Sequence, residues 1–328
     1  MDKLAIGIDI GGTNVRLGLV DMTGRVLKKK FLHFKDIKHT PAGSSPASSQ
    51  VDFISSGLED FLKEKGASHK VSMAGVGIAG QIEKKTGTVL FSPNLNWRAV
   101  PLRKILEQKT GLRVNVVNDL TAITYGEWKF GSGAGYKNLI CIFIGTGIGS
   151  GIVAEGTLAA GCSDSSGEIG HTVIVSGGRK CPCGNRGCLE AYAGGTGIAK
   201  TARRKAAKDR KVFKNLISLA EGKIENITAE TVARAYKKKD AAASMVVEKT
   251  AGFLSDGVIN AVNFFNPCAV ILGGGVIEGI PDLARMVEKQ VRERALEAST
   301  KKLDILGPGL GGDSGIIGAA MLACSSYA

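Results

Sequence analysis

Three times along the chain, a short and nearly unbroken apolar run ends on glycine. Leu4-Ala-Ile-Gly-Ile-Asp9-Ile leads into Gly11-Gly12-Thr13-Asn14, Leu139-Ile-Cys-Ile-Phe-Ile into Gly145-Thr146-Gly147-Ile-Gly149, and Ala269-Val-Ile-Leu into Gly273-Gly274-Gly275. Apolar runs of this length, bounded by glycine, predict buried strands that empty into tight loops. The first two recur about half a chain apart, and each opens a strand-rich segment. That spacing predicts two related halves, each a sheet flanked by helices, with a ligand between them.

The remaining pattern fills in these halves. Val15 to Val20 and Arg25 to Phe34, joined by the turn Asp21-Met-Thr-Gly24, read as a meander. Thr40 to Ser49 is rich in Ser, Pro and Ala and reads as a surface loop before a helix at Asp52 to Lys65. Val71 to Ile78 and Arg113 to Val117 read as strands, ending at Gly80-Gln81 and Asn118-Asp119. Leu120 to Trp128 has helical spacing, and the domain boundary is placed before it: residues 1–118 with 312–328 form a smaller domain, and 119–311 a larger one. Helical patterns follow at Gly195 to Arg210, Thr228 to Val262 and Pro281 to Ala298. The small-residue stretch Ser314 to Ala323 reads as a last helix that packs back on the first domain.

Composition narrows the class. The chain has 328 residues, 44% hydrophobic and 22% charged, as an ordinary soluble protein of two domains would. Its net charge of +13 comes from Lys28-Lys29-Lys30, the run Arg203 to Lys211, and Lys237-Lys238-Lys239. None of these runs interleaves with aromatics or sits in a DNA-binding motif, so they read as solvated faces, with no nucleic-acid partner expected. A basic field still attracts polyanions such as nucleotides. Seven cysteines, an odd number with three clustered, do not make a secreted disulfide framework. Met1-Asp2-Lys3 leads straight into a strand without a signal peptide, and the glycines of Leu139 to Ala160 argue against a membrane span. A reducing cytoplasm is the expected setting.

The chemistry concentrates in a few motifs. His171, Cys181, Cys183 and Cys188 offer one imidazole and three thiolates, the ligand set of a closed tetrahedral zinc site. Four protein ligands leave no open position, so such a zinc is structural. Glu168-Ile-Gly-His171 is not H-E-x-x-H, which excludes a zinc protease. The second imidazole nitrogen can donate to a hydroxyl, and Glu168 and Glu190 can accept from neighbouring ones, which describes a polyol site. In Asp9-Ile-Gly11-Gly12-Thr13-Asn14 the glycine amides and Thr13 hydroxyl suit phosphate oxygens, and a carboxylate so close to phosphate points to Asp9 as an anchor for Mg²⁺. The loop is not a Walker A sequence, and the alternating glycines of the second loop are not a dinucleotide fingerprint. Together with Gly145-Thr146-Gly147 and Gly273-Gly274, it predicts nucleotide-phosphate binding. Asp119 reads as a helix N-cap or, opposite a phosphate loop, as a general base for a hydroxyl nucleophile. Gly80 and the stretch Ser92-Pro-Asn94-Leu-Asn96-Trp97 supply backbone groups, amides and an aromatic as further substrate contacts.

Taken together, Asp9-x-Gly-Gly-Thr13, Asn118-Asp119, Glu168-x-Gly-His171 and Cys181-x-Cys183-Gly-x-x-Gly-Cys188-x-Glu190 resemble the ROK family of repressors, open reading frames and kinases, over essentially the whole chain. Within that family the likeness is to the bacterial-type glucokinases. The resemblance implies a two-lobed, actin-like (ribonuclease H-like) ATPase fold with sugar and nucleotide in the interlobe cleft, a structural zinc, Mg²⁺ with ATP, and a homodimer. It also implies that Asp119 is the base and that Asn118, Glu168, His171 and Glu190 hold the sugar. The expected reaction is attack of a sugar 6-hydroxyl on the γ-phosphorus. Glucose is the first substrate, with N-acetylmannosamine, N-acetylglucosamine or fructose as alternatives and polyphosphate as an alternative donor. A sugar-responsive repressor of the same family would carry a helix-turn-helix ahead of the first loop, for which a strand starting at Leu4 leaves no room. A cysteine-bound iron–sulfur cluster fits less well than zinc, given His171 and the flanking carboxylates.

Overall fold

The computed structural model describes residues 4–37, 45–64 and 71–326. The chain divides into two compact units, one of Met1–Gly135, Leu158–Ser166 and Pro308–Ala328, the other of Tyr136–Thr157 and Gly167–Gly307. In chain order the first unit contains β1 (Leu4–Ile10), β2 (Asn14–Asp21), β3 (Val26–His33), α1 (Pro46–Lys63), β4 (Val71–Ile78), β5 (Gln81–Glu83), β6 (Thr88–Ser92), β7 (Trp97–Val100), α2 (Leu102–Thr110), β8 (Arg113–Asn118) and α3 (Asp119–Phe130). Next come β9 (Leu139–Ile144), β10 (Ile148–Ala154) and β11 (Thr157–Leu158), then α4 (Glu190–Ala193), α5 (Gly195–Lys208), α6 (Lys214–Leu219), α7 (Ala229–Lys237) and α8 (Ala241–Phe265). The sheet resumes with β12 (Ala269–Gly273), α9 (Gly275–Gly279), α10 (Asp282–Arg294), α11 (Glu297–Thr300) and β13 (Asp304–Leu306), and α12 (Ser314–Ser326) belongs to the first unit again.

Both large sheets are mixed and follow one plan. The first is ordered β3-β2-β1-β4-β8, with β1 antiparallel to β2 and parallel to β4, and β4 parallel to β8. The second is ordered β11-β10-β9-β12-β13, with β9 antiparallel to β10 and parallel to β12, and β12 parallel to β13. In each, a glycine loop joins the first two strands. Parallel central strands flanked by helices must be apolar on both faces, which is why β9 and β12 read as unbroken runs.

Several elements differ from the sequence pattern. Helix α1 starts at Pro46 rather than Asp52, because Ser45 caps it by accepting from the Ser48 N–H and Pro46 occupies the first turn. Thr40 to Ser44 and Lys65 lie outside the described residues. The predicted helix from Thr228 to Val262 is two helices: Lys239 takes a φ of +58° and Asp240 caps α8 by accepting from the Ala243 N–H at 2.9 Å. The three-stranded sheet β5-β6-β7 is too short in each strand to have left a pattern. Among the described residues no helix is long and apolar enough to cross a membrane.

Candidate functional site

In the first unit the loop between β1 and β2 lifts Gly11, Gly12, Thr13 and Asn14 into solvent between buried Ile10 and Val15. Its backbone closes on itself, Gly11 N–H donating to Asn14 O at 2.9 Å, and Phe34 N–H donates to Thr13 O at 3.1 Å. Asn14 Oδ1 lies 2.6 Å from His33 Nδ1. Asp9, on the last turn of β1 before the loop, is cross-strand partner to Arg16, whose guanidinium sits 4.0 Å from its carboxylate. Burial pushes the Asp9 carboxyl above its ordinary value, and Arg16 only partly opposes this. A desolvated carboxylate short of positive charge is a group that a divalent cation would stabilise, so Asp9 fits an Mg²⁺ anchor.

The end of β8 separates two jobs that the sequence leaves joined. Asn118, not Asp119, caps α3: its Oδ1 accepts from Leu120 N–H at 2.9 Å and Thr121 N–H at 3.4 Å. Its amide donates to Gly80 O at 3.2 Å, so both ends of this side chain are tied to backbone. Asp119 is then the first residue of the helix and is half-buried. Gly80 has a φ of +151°, and a Cβ there would overlap the Phe91 carbonyl. Asn94 is exposed and borders Gly12, whose Cβ would meet it at 3.3 Å; Asn96 is exposed at φ +55°. Trp97 corrects the sequence reading: it is fully buried, with Nε1 donating to Gln50 Oε1 at 2.6 Å, and serves the core rather than a substrate.

In the second unit, exposed Gly145 and Thr146 with half-buried Gly147 form the corresponding loop. Its carbonyls accept from the start of α5, Gly195 N–H to Gly145 O at 2.9 Å and Thr196 N–H to Thr146 O at 3.1 Å. Gly273 ends β12, and Gly274 takes a φ of +93° and lies so close to β9 that a Cβ would come within 2.6 Å of the Ile144 carbonyl, two reasons for glycine.

His171, Cys181, Cys183 and Cys188 come together with their ligand atoms all within 4.8 Å of one another. Cys183 and Cys188 sulfurs are 3.7 Å apart, as are Cys181 Sγ and His171 Nδ1. A tetrahedron with Zn–S of about 2.3 Å and Zn–N of about 2.0 Å has edges of roughly 3.5–3.8 Å. The donor set and these spacings fit zinc. Burial pushes the Cys181 thiol up to about 12, whereas a hydrogen bond from the Asn185 backbone holds Cys183 below the ordinary thiol range. Three thiolates in this cluster therefore call for a cation. With Nδ1 turned to the sulfurs, His171 Nε2 faces Glu168 Oε2 at 4.0 Å, and the Glu168 side chain is 59% exposed. Glu190 starts α4 with one oxygen accepting from Ile148 N–H at 2.9 Å.

Some participants carry no motif. Arg179 stacks 4.6 Å over Tyr192 and donates to Ala191 O, Gly197 O and Thr201 Oγ1. Glu127, fully buried on α3, accepts from the N–H groups of Ser132, Gly309 and Leu310 and from the Ser314 hydroxyl. Their partners lie up to 187 positions away, so nothing local signals them. The basic run at Lys28-Lys29-Lys30 is satisfied in the same way, by Glu64 on one face and Asp313 on the other.

Two mixed sheets of one topology, each with a glycine loop between its first strands, define a duplicated, actin-like α/β class. A Cys₃His cluster beside the second loop narrows it. The chain belongs to the ROK family, whose model matches residues 5–326. It is 32% identical to a glucokinase of Streptomyces coelicolor over 98% of this chain and 97% of that protein. The structure of a ROK family glucokinase from Streptomyces griseus in complex with glucose and AMPPNP matches with a TM-score of 0.81 at 32% identity, over 98% of this chain and 99% of that one. A xylose repressor of Bacillus subtilis is 28% identical over 98% of this chain and 77% of its own length.

Proposed function

We propose that this chain is an ATP-dependent sugar kinase that phosphorylates glucose at its 6-hydroxyl, with Asp119 as general base. Support comes from whole-length similarity to glucokinases, including one whose structure holds glucose and AMPPNP. The observation that carries the assignment of roles is the division of labour at the start of α3. Asn118 takes the cap and ties Gly80, and Asp119 opens the helix with one carboxylate oxygen accepting from Leu120 N–H at 3.0 Å.

Asp119 accepts the proton of the sugar hydroxyl as its oxygen attacks the γ-phosphorus, so the nucleophile never carries a full charge alone. His171 Nε2–H, its ring fixed by the tetrad, donates to a sugar hydroxyl, while Glu168 and the second oxygen of Glu190 accept from others. Asn118 serves mainly to position Asp119, and Asn94, Asn96 and Gly80 add contacts to the sugar. Mg²⁺ carried with ATP supplies charge neutralisation at the β- and γ-phosphates, and Asp9 would hold it. The amides of Gly12 and Gly147, with Thr13, Asn14 and Thr146, cradle phosphate oxygens, Gly11 and Gly145 shape the two loops through their own backbone bonds, and Gly273 and Gly274 border the nucleoside. Zinc acts as a brace and the protein works as a cytoplasmic homodimer, an assembly that light scattering would measure.

The test is coupled ADP release with purified protein across glucose, fructose, N-acetylmannosamine and N-acetylglucosamine, repeated with polyphosphate as donor. Glucose with ATP should give the highest kcat/KM. A higher value for another sugar moves the substrate, because a pocket separates such sugars by only about 1–3 kcal/mol. No turnover with any of them overturns the kinase reading. Similarity to xylose repressors favours, as a second reading, a sugar-responsive regulator; its signature is sugar binding without turnover.

A further inference from the structure

The tetrad and the second glycine loop meet at one residue, Ile148. Its N–H donates to Glu190 Oε2 at 2.9 Å, and Glu190 lies two positions after the ligand Cys188. Its carbonyl is covered by Gly170, where any Cβ would overlap it, and Gly170 immediately precedes the ligand His171. The segment that carries Glu190 then runs directly into α5. There Gly195 N–H holds Gly145 O at 2.9 Å, and Thr196 holds Thr146 O through its N–H at 3.1 Å and its hydroxyl at 3.2 Å. Gly147 has no room for a side chain, because a Cβ would overlap the Glu190 carboxylate.

On the other side, Arg179 lies two positions before Cys181 and binds the same segment. It donates to Ala191 O at 3.2 Å, Gly197 O at 3.3 Å and Thr201 Oγ1 at 3.0 Å. Within the loop itself Gly145 N–H donates to Gly147 O at 3.0 Å. Two glycines in so short a loop leave it a large conformational freedom that its own bonds do not remove. Order has to come from outside, and the ties from Glu190, Gly195 and Thr196 all come from the stretch that leaves Cys188.

We propose that the metal-closed Cys₃His loop and Glu190 form one brace for the second glycine loop, so that the metal orders the backbone offered to nucleotide phosphates as well as the His171 ring. Glu190 is a positioning residue for the nucleotide in addition to its place at the sugar. The inference rests on the nucleotide role given to this loop above, but its structural half can be read without any ligand.

The experiment measures hydrogen exchange of the 145–148 amides and binding of Mg²⁺ with a non-hydrolysable ATP analogue. The metal-loaded wild type is compared with the same protein stripped by a chelator, with Glu190→Ala, and with Glu190→Gln, which keeps an oxygen for the Ile148 N–H. Stripping and Glu190→Ala should speed exchange at 145–148 and weaken analogue binding about tenfold, the scale of a lost hydrogen bond to a charged group. Glu190→Gln should stay within about twofold of wild type in both readouts while sugar binding falls. Unchanged exchange at 145–148 after stripping, or in Glu190→Ala, overturns the brace. If Glu190→Ala does not fold by circular dichroism, the comparison of metal-loaded with chelator-stripped wild type decides, and unchanged exchange at 145–148 there overturns the proposal equally. Faster exchange in a protein whose wild type binds no analogue upholds the brace and removes the nucleotide reading instead.

Discussion

The two five-stranded sheets share one topology but are covered in different ways. In the first unit α12 lies directly on β1 and β4 because Gly7 and Gly75 present no side chain; a Cβ at either would overlap the carbonyls of Ile316 and Ala319. Gly318 of α12 meets the Ala122 carbonyl of α3 in the same way. Backbone touches backbone, and the contact has no slack. In the second unit β9 and β12 carry Ile140, Ile142, Val270 and Leu272, and they pack through side chains into a core that includes Val246, Leu254 and Val258 of α8. The loops differ to match. The first is held mainly by its own backbone, the second by Glu190 and the start of α5. The first sheet thus combines two packing solutions, small residues under α12 on one face and large ones such as Ile6, Ile8 and Val76 on the other, whereas the second uses the large kind against α8.

Substitutions can break this comparison, the largest effects first. If the proton chemistry belongs to the first unit, Asp119→Asn should lower kcat about 10³-fold, roughly 4 kcal/mol, with sugar affinity largely kept. Turnover near that of wild type, measured by ADP release, would remove Asp119 as base. Gly75→Val should cost about 3 kcal/mol in urea unfolding, because a helix carbonyl cannot move aside. Ile142→Val in the second sheet should cost only about 1 kcal/mol. Equal costs would erase the distinction between the two packings. Glu127→Ala strands four donors and should cost roughly 2–3 kcal/mol, with Glu127→Gln intermediate, on the same unfolding assay.

The smallest effect is on Asp9. Burial raises its folded-state pKa above the ordinary carboxylate value, so the protonated form favours folding at low pH, and that contribution is lost as pH rises through the raised value. Asp9→Asn should therefore raise the melting temperature of the ligand-free protein at pH 7 and leave it nearly unchanged at about pH 3, below the ordinary carboxylate value. A lower melting temperature at pH 7 would mean that Arg16 outweighs desolvation at this site.

Legibility followed the range of the interaction. The tetrad was readable because zinc needs particular donors and the chain places three of them within eight positions, Cys181 to Cys188. The duplicated strand-and-glycine grammar was readable because burial on both faces leaves an unbroken apolar run. Capping was harder. Asn118 and Asp119 are both good N-cap residues, and only the backbone at the start of α3 decides that Asn118 caps. The same holds at Lys239 and Asp240, where a positive φ and a cap divide one helical pattern into two helices. Trp97 sat among polar residues and looked like part of a site, yet neighbours distant in sequence bury it.

The residues by themselves determined the central strands of both large sheets, the glycine loops they run into, and the one histidine and three cysteines that the fold gathers, because each follows from local chemistry or short spacing. The return of the last helix to the first domain was also readable, but tertiary structure alone decided that it lies on β1 and β4, that Glu127 gathers donors from Ser132 to Ser314, and that Glu190 reaches Ile148. Those outcomes depend on chain segments far apart in sequence meeting at hydrogen-bond distance, and no spacing within the sequence encodes that meeting.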